Sequence, residues 1–153
     1  MTATSTTTDR IEKQVLLRAP RAEVWRALID TRRFGEWFGA ALPEGTFAPG
    51  ARVAGQITHP GYEHLTFAVT VERVEPERLL AWRWYPDVDA PEAEPTTLVE
   101  FTLRDVAEGT LLTVVESGFD RIAADRRDRV YRGNEQGWTA QMEAIARHVS
   151  EHA

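Results

Sequence analysis

One carboxylate stands out as able to do acid–base chemistry. In Leu111-Leu112-Thr113-Val114-Val115-Glu116, the residues Leu112, Val114 and Glu116 share one face of an extended segment, while Leu111, Thr113 and Val115 share the other. If the first set faces the core, Glu116 points inward, where loss of water raises a carboxyl pKa and lets it donate or accept a proton. The competing reading is a solvated Glu, or one paired with a nearby Arg. His59 and His64 bracket the turn Pro60-Gly61-Tyr62 and are the remaining candidates for proton transfer near neutral pH. His148 and His152 have the i, i+4 spacing of a zinc pair on a helix, but no Glu follows the first His as HExxH requires, and no metal is expected. Glycoside chemistry needs two inward carboxylates, and only Glu116 qualifies. No Ser lies in a GxSxG turn, no Gly-rich phosphate loop is present, and the chain has no Cys, which excludes thiolate zinc sites and thiol nucleophiles. No organic cofactor is expected.

The elements that must position these groups follow from apolar spacing. Ile11, Lys13, Val15 and Leu17 alternate with Glu12, Gln14 and Leu16 in a first strand. Ala19-Pro20 stops it and opens a short helix with Val24, Trp25, Leu28 and Ile29 inward; a second short helix carries Phe34, Trp37 and Phe38, capped by Asp30 or Thr31. Strands are predicted at about 51–58, 63–74, 79–85, 96–105 and 110–117, with Glu100 on a wet face. The acidic segment Pro86–Pro95 breaks the ladder. Tyr131, Trp138, Met142, Ile145 and Val149 form the stripe of a long C-terminal helix, and Gly133 and Gly137 mark a bent, frayed or closely packed stretch within it. The order implies an α+β domain in which a curved antiparallel sheet wraps the final helix.

Composition narrows the function. With 18 basic and 24 acidic residues the net charge is −6, which argues against nucleic acid or an anionic membrane as partner. The first nine residues, MTATSTTTD, lack export or presequence features, so a cytoplasmic protein with a loose tail over 1–9 and a single domain over 10–153 is expected. The segment Asp120 to Arg132 carries Arg121, Arg126, Arg127, Arg129 and Arg132; with Asp125/Arg129 and Asp128/Arg132 as i, i+4 pairs it reads as a solvated helix face, the alternative being a docking surface for an acidic protein.

Several local words in order carry a family resemblance. They are Ala19-Pro20 with Val24-Trp25 and Leu28, Trp37-Phe38, Val74-Glu75-Pro76 leading to Trp82-Arg83-Trp84, and Thr96-Thr97-Leu98-Val99-Glu100-Phe101. Gly109-Thr110, Glu116-Ser117-Gly118-Phe119-Asp120 and Asn134-Glu135-Gln136-Gly137-Trp138 complete the series, which spans residues 11 to about 150. The chain resembles the START-like superfamily (SRPBCC, polyketide cyclase and Bet v 1-like proteins) with its helix-grip fold. Within it, the chain is most similar to the branch of the C-terminal domain of the activator of the ninety-kilodalton heat-shock protein ATPase. The resemblance implies a cavity between sheet and long helix. Trp37, Phe38, Phe67, Val69, Trp82, Trp84, Val99, Phe101, Trp138 and Met142 would line it, and Glu116, His59, His64, Tyr62, Asn134 and Glu135 would supply polarity. The alternative for each ring is core packing, the usual fate of aromatic stripes. The resulting expectation is a binding domain for a small hydrophobic or aromatic molecule. The alternatives are a co-chaperone-like protein-interaction domain and a cyclase or dehydratase using Glu116 or a His. Pairing through sheet or helix faces would give a homodimer.

Overall fold

The computed structural model describes residues 9–152. One seven-stranded antiparallel sheet runs β1-β7-β6-β5-β4-β3-β2 in space. Its strands are β1 (Arg10–Leu17), β2 (Ala40–Ala41), β3 (Arg52–Ile57), β4 (Thr66–Glu75), β5 (Leu79–Trp84), β6 (Thr97–Val106) and β7 (Gly109–Ser117). Helices α1 (Arg21–Ile29) and α2 (Thr31–Phe38) follow the first strand, and α3 (Ala124–Glu151) closes the chain after a 3-10 turn at Phe119–Arg121. This is the α+β helix-grip architecture. Among the described residues, no helix is long and apolar enough to cross a membrane.

Period-two alternation sets the sheet's dry face. On β6, Thr97, Val99, Phe101 and Leu103 are buried, and on β7 Thr110, Leu112, Val114 and Glu116 are buried, so the ambiguity of the last strand resolves with Glu116 inward. Glu100 lies on the opposite face, half-buried. β2 was not anticipated, because two residues are too few to show an alternation; it pairs Ala40 with Ile57 and Ala41 with Gln56. The hairpin between β6 and β7 needs Gly109. Its φ is 148°, and a Cβ there would stand 2.2 Å from the Leu17 carbonyl oxygen.

The two short helices form as the sequence indicates. Asp30 caps α2, its Oδ1 accepting from the backbone N–H of Arg32 at 2.9 Å and Arg33 at 3.2 Å, and Gly39 ends it in the left-handed region at φ 94°. α3 runs unbroken for 28 residues through Gly133 and Gly137, and at neither glycine does a neighbour come within 4 Å of the Cβ position, so close packing does not explain them. Trp138, Met142, Ile145 and Val149 are buried, whereas Tyr131 is only half-buried and its hydroxyl donates to the Arg10 carbonyl at 3.0 Å. Of the expected tail 1–9, residues 1–8 lie outside the described residues. Asp9 joins the fold, its carbonyl accepting from the N–H groups of Gly118 at 3.0 Å and Phe119 at 3.2 Å.

Candidate functional site

Glu116 is fully buried near the end of β7, the middle one of three adjacent strands: its Cα partners are Ile11 on β1 and Val99 on β6. Four side chains donate to it. Oε2 accepts from Trp84 Nε1 at 2.8 Å and Thr97 Oγ1 at 2.6 Å, and Oε1 accepts from Trp138 Nε1 at 2.8 Å. Asn134 Nδ2 lies 3.2 Å from both oxygens. Regular geometry places these donors. Trp84 and Thr97 are cross-strand partners on β5 and β6, and Asn134 and Trp138 stand one helical turn apart on α3, so sheet and helix converge on the carboxyl from opposite sides.

All four donors are neutral. Burial pushes the Glu116 carboxyl above the ordinary glutamate range, and the bonds from Thr97, Trp84, Trp138 and Asn134 pull it partly back. Each oxygen accepts at least two hydrogen bonds, so the carboxyl is held in place by its own protein and fixes two indoles and an amide around itself. Thr97 was not among the expected polar residues. Its signal was present, because it shares a face with Val99 and Phe101.

The rings expected to line a cavity form one continuous cluster. Phe34 contacts Trp37, Phe38, Phe47, Phe67 and Trp82 with centroids 4.8–5.6 Å apart. Trp82 continues to Phe101 at 5.1 Å and Trp84 at 5.8 Å, and Trp84 stacks on Trp138 at 5.8 Å. Trp37, Phe67, Val69, Trp82, Val99, Phe101, Trp138 and Met142 are buried, while Phe38 and Trp84 are half-buried and form the end of the cluster nearest solvent. The lining residues thus meet one another. Two surface depressions, of about 530 Å³ and 220 Å³, open instead on the other side of the sheet, beside Gln14, Glu100 and Thr113 and beside Arg52, Glu72 and Arg83. Within the cluster, the Trp82 Nε1 is buried and has no protein partner, whereas Trp37 Nε1 donates to the Ala27 carbonyl at 2.8 Å.

The remaining candidates lie elsewhere. His59, Tyr62 and His64 are exposed on the β3–β4 connection; the His59 Cβ lies 3.8 Å from the Cβ position of Gly39, the residue after the half-buried Phe38. Glu135 leaves the interior and pairs with Lys13 at 3.5 Å. His148 is buried and His152 exposed at the far end of α3.

The arginine segment departs from the expected solvated face. Asp128 and Arg132 do pair at 3.1 Å, but Arg129 bonds Asp87 and Asp89, at 3.1 Å and 2.9 Å, in place of Asp125. Arg126 donates to Asp87 at 2.9 Å and to the Glu94 carbonyl at 2.8 Å, and Arg127 donates to the carbonyls of Asp120 and Ile122 at 3.0 Å. Asp87 is buried, and a buried carboxylate outcompetes an exposed one for a guanidinium. The bonds from Arg126 and Arg129 strap the acidic β5–β6 loop onto α3, and they hold the Asp87 carboxyl below its usual range, Arg129 contributing most.

No curated protein matches the chain by sequence. Among solved structures, DynU16, a protein of the dynemicin biosynthetic locus, is similar at 28% identity and TM-score 0.72, covering 93% of this chain and 47% of its own, so this chain spans about half of DynU16. Protein MLL2253 from Mesorhizobium loti is 24% identical with TM-score 0.76, covering 94% of this chain and 98% of its own. A protein from Arthrobacter aurescens solved by NMR is 19% identical with TM-score 0.78, covering 96% and 90%. The family model described as activator of Hsp90 ATPase homolog 1-like protein matches residues 18–150. With that match running from the first helix almost to the end of the last, the chain belongs to the family of activator of Hsp90 ATPase homolog 1-like proteins, within the START-like superfamily.

Proposed function

We propose that this domain binds a small hydrophobic or aromatic molecule between the sheet and α3, entering at the end formed by Phe38, Trp84 and Trp138. The observation that carries the reading is the buried Glu116 carboxyl, surrounded by aromatic rings and satisfied only by neutral donors. A core built for stability alone gains nothing from such a group, since an apolar residue of similar volume removes the desolvation cost. The orphaned Trp82 Nε1 supports the same reading, because a ligand oxygen would satisfy it. Entry requires the half-buried rings of Phe38 and Trp84 to move apart. The biosynthetic-locus setting of DynU16 agrees with a small-molecule ligand.

Carriage fits better than catalysis, because both oxygens of Glu116 are already engaged by the protein and a general base needs one turned toward substrate. A non-denaturing mass spectrum of freshly purified protein, compared with a denatured one, tests the reading. A discrete added mass that disappears on denaturation supports it; a clean mass, with no uptake from a panel of aromatic compounds, overturns it. Glu116→Gln then separates carrier from enzyme: affinity is largely kept in the first case, and a rate falls by about 10²–10⁴ in the second.

The family match favours one other reading, docking to a chaperone ATPase. Stimulation of ATP hydrolysis by an Hsp90-class chaperone is its direct assay.

A further inference from the structure

Where α2 meets the last turns of α3, three side chains from two helices converge. Glu36 offers a carboxylate oxygen, and His148 and His152 each offer a ring nitrogen, all within 4.8 Å of one another. The two imidazoles stack with centroids 4.1 Å apart. His148 is only 6% exposed, and its Nε2 is buried with no hydrogen-bond partner. An unpaired buried polar nitrogen costs stability, so its retention calls for a partner.

His152 is already oriented. Its Nδ1 lies 2.7 Å from the His148 carbonyl oxygen, which can only accept, so Nδ1 carries the proton and Nε2 keeps its lone pair. A ring N–H given to a backbone carbonyl is the usual way a ligating His is held in the metal-binding tautomer.

We propose that Glu36, His148 and His152 form a binding site for a divalent transition-metal ion of the zinc class, clipping α2 to the C-terminal end of α3. Two imidazoles and one carboxylate are a recurrent zinc donor set, with one position left for water. Bonds of about 2.0–2.1 Å place tetrahedral ligands about 3.3 Å apart, so the three groups must close by roughly 1.5 Å at most. Glu36 and His152 are exposed and can make that adjustment, while buried His148 serves as the fixed point.

The charges facing the site are mixed. Arg32 lies 4.0 Å from Glu36, a contact weak enough for a cation to displace, and Arg33 is directed to Glu23 at 3.6 Å. Glu151 adds negative charge on the α3 side. The absence of an HExxH motif in α3 does not bear on this site, because its carboxylate comes from a different helix.

Zinc chloride titrated calorimetrically into the tag-free full chain, after chelator treatment, is the test. The expected result is one zinc per chain, a thermal midpoint raised by zinc, and about tenfold or greater weakening in both His152→Ala and Glu36→Gln, two exposed positions that leave the core intact. Absence of saturable heat overturns the proposal. So does binding that survives both substitutions, or that is lost instead in His59→Ala or His64→Ala.

Discussion

Trp84 and Trp138, one on a strand and the other on the C-terminal helix, stack with their centroids 5.8 Å apart and planes 28° from parallel. Each donates its Nε1 at 2.8 Å to a different oxygen of Glu116. The buried carboxyl therefore ties sheet and helix together at this end of the ring cluster. Replacing it should cost stability.

Glu116→Gln keeps the shape and replaces an ionisable carboxyl by an amide. In either amide orientation the new NH2 faces an indole N–H, at Trp84 or at Trp138, and leaves that donor without an acceptor. A loss of about 1–3 kcal/mol in urea unfolding at acid pH is expected.

The same variant tests the titration of Glu116. Its carboxyl has a higher pKa folded than unfolded, so the stability it contributes is complete below the unfolded value and is lost as pH rises through the folded one. Glutamine does not titrate. The deficit of Glu116→Gln should therefore shrink as pH rises above the ordinary glutamate range, and a pH-independent deficit would show that Glu116 does not titrate differently on folding.

Trp138→Phe retains an aromatic ring and deletes one donor to Glu116. A cost of about 1 kcal/mol is expected. Because the cost acts through Glu116, a double-mutant cycle with Glu116→Gln should give a coupling of about 0.5 kcal/mol or more, whereas strict additivity would mean the two groups act separately.

Asp87→Asn should release the strap. Asp87 is held by Arg126 and Arg129, and because its carboxyl is depressed in the fold, its contribution is present above the ordinary aspartate value and is lost as pH falls through the folded one. Half of Arg129 is exposed, and solvent screening keeps the expected loss near about 1 kcal/mol at neutral pH. Amide exchange across residues 86–95 should accelerate while that of β6 and β7 is unchanged.

Gly109→Ala should cost about 1–3 kcal/mol from its backbone angle alone, with more from the Leu17 carbonyl that the new methyl would meet. Thermal unfolding would register it. An unchanged midpoint would mean the β6–β7 turn can rearrange freely.

Much of this molecule was legible in its sequence. Alternation on β4, β6 and β7 assigned residues to shared faces, and the spacing of Trp138, Met142, Ile145 and Val149 gave the buried stripe of α3, because both periods are properties of the local backbone. The word order pointed to the helix-grip fold. Glu116 was identifiable as the inward carboxylate once Leu112 and Val114 were taken as core.

What Glu116 touches was not legible. Trp84 lies 32 residues away in sequence and Trp138 lies 22 residues away, and only the strand order and the rotation of α3 about its axis bring both to one carboxyl. Asp87, 42 residues from Arg129, likewise displaces the local partner Asp125, because the buried acid gains more from a cation than a solvated one does. Local pattern determines which side chains share a face; which faces meet, and in what register, is decided by long-range packing of the whole chain.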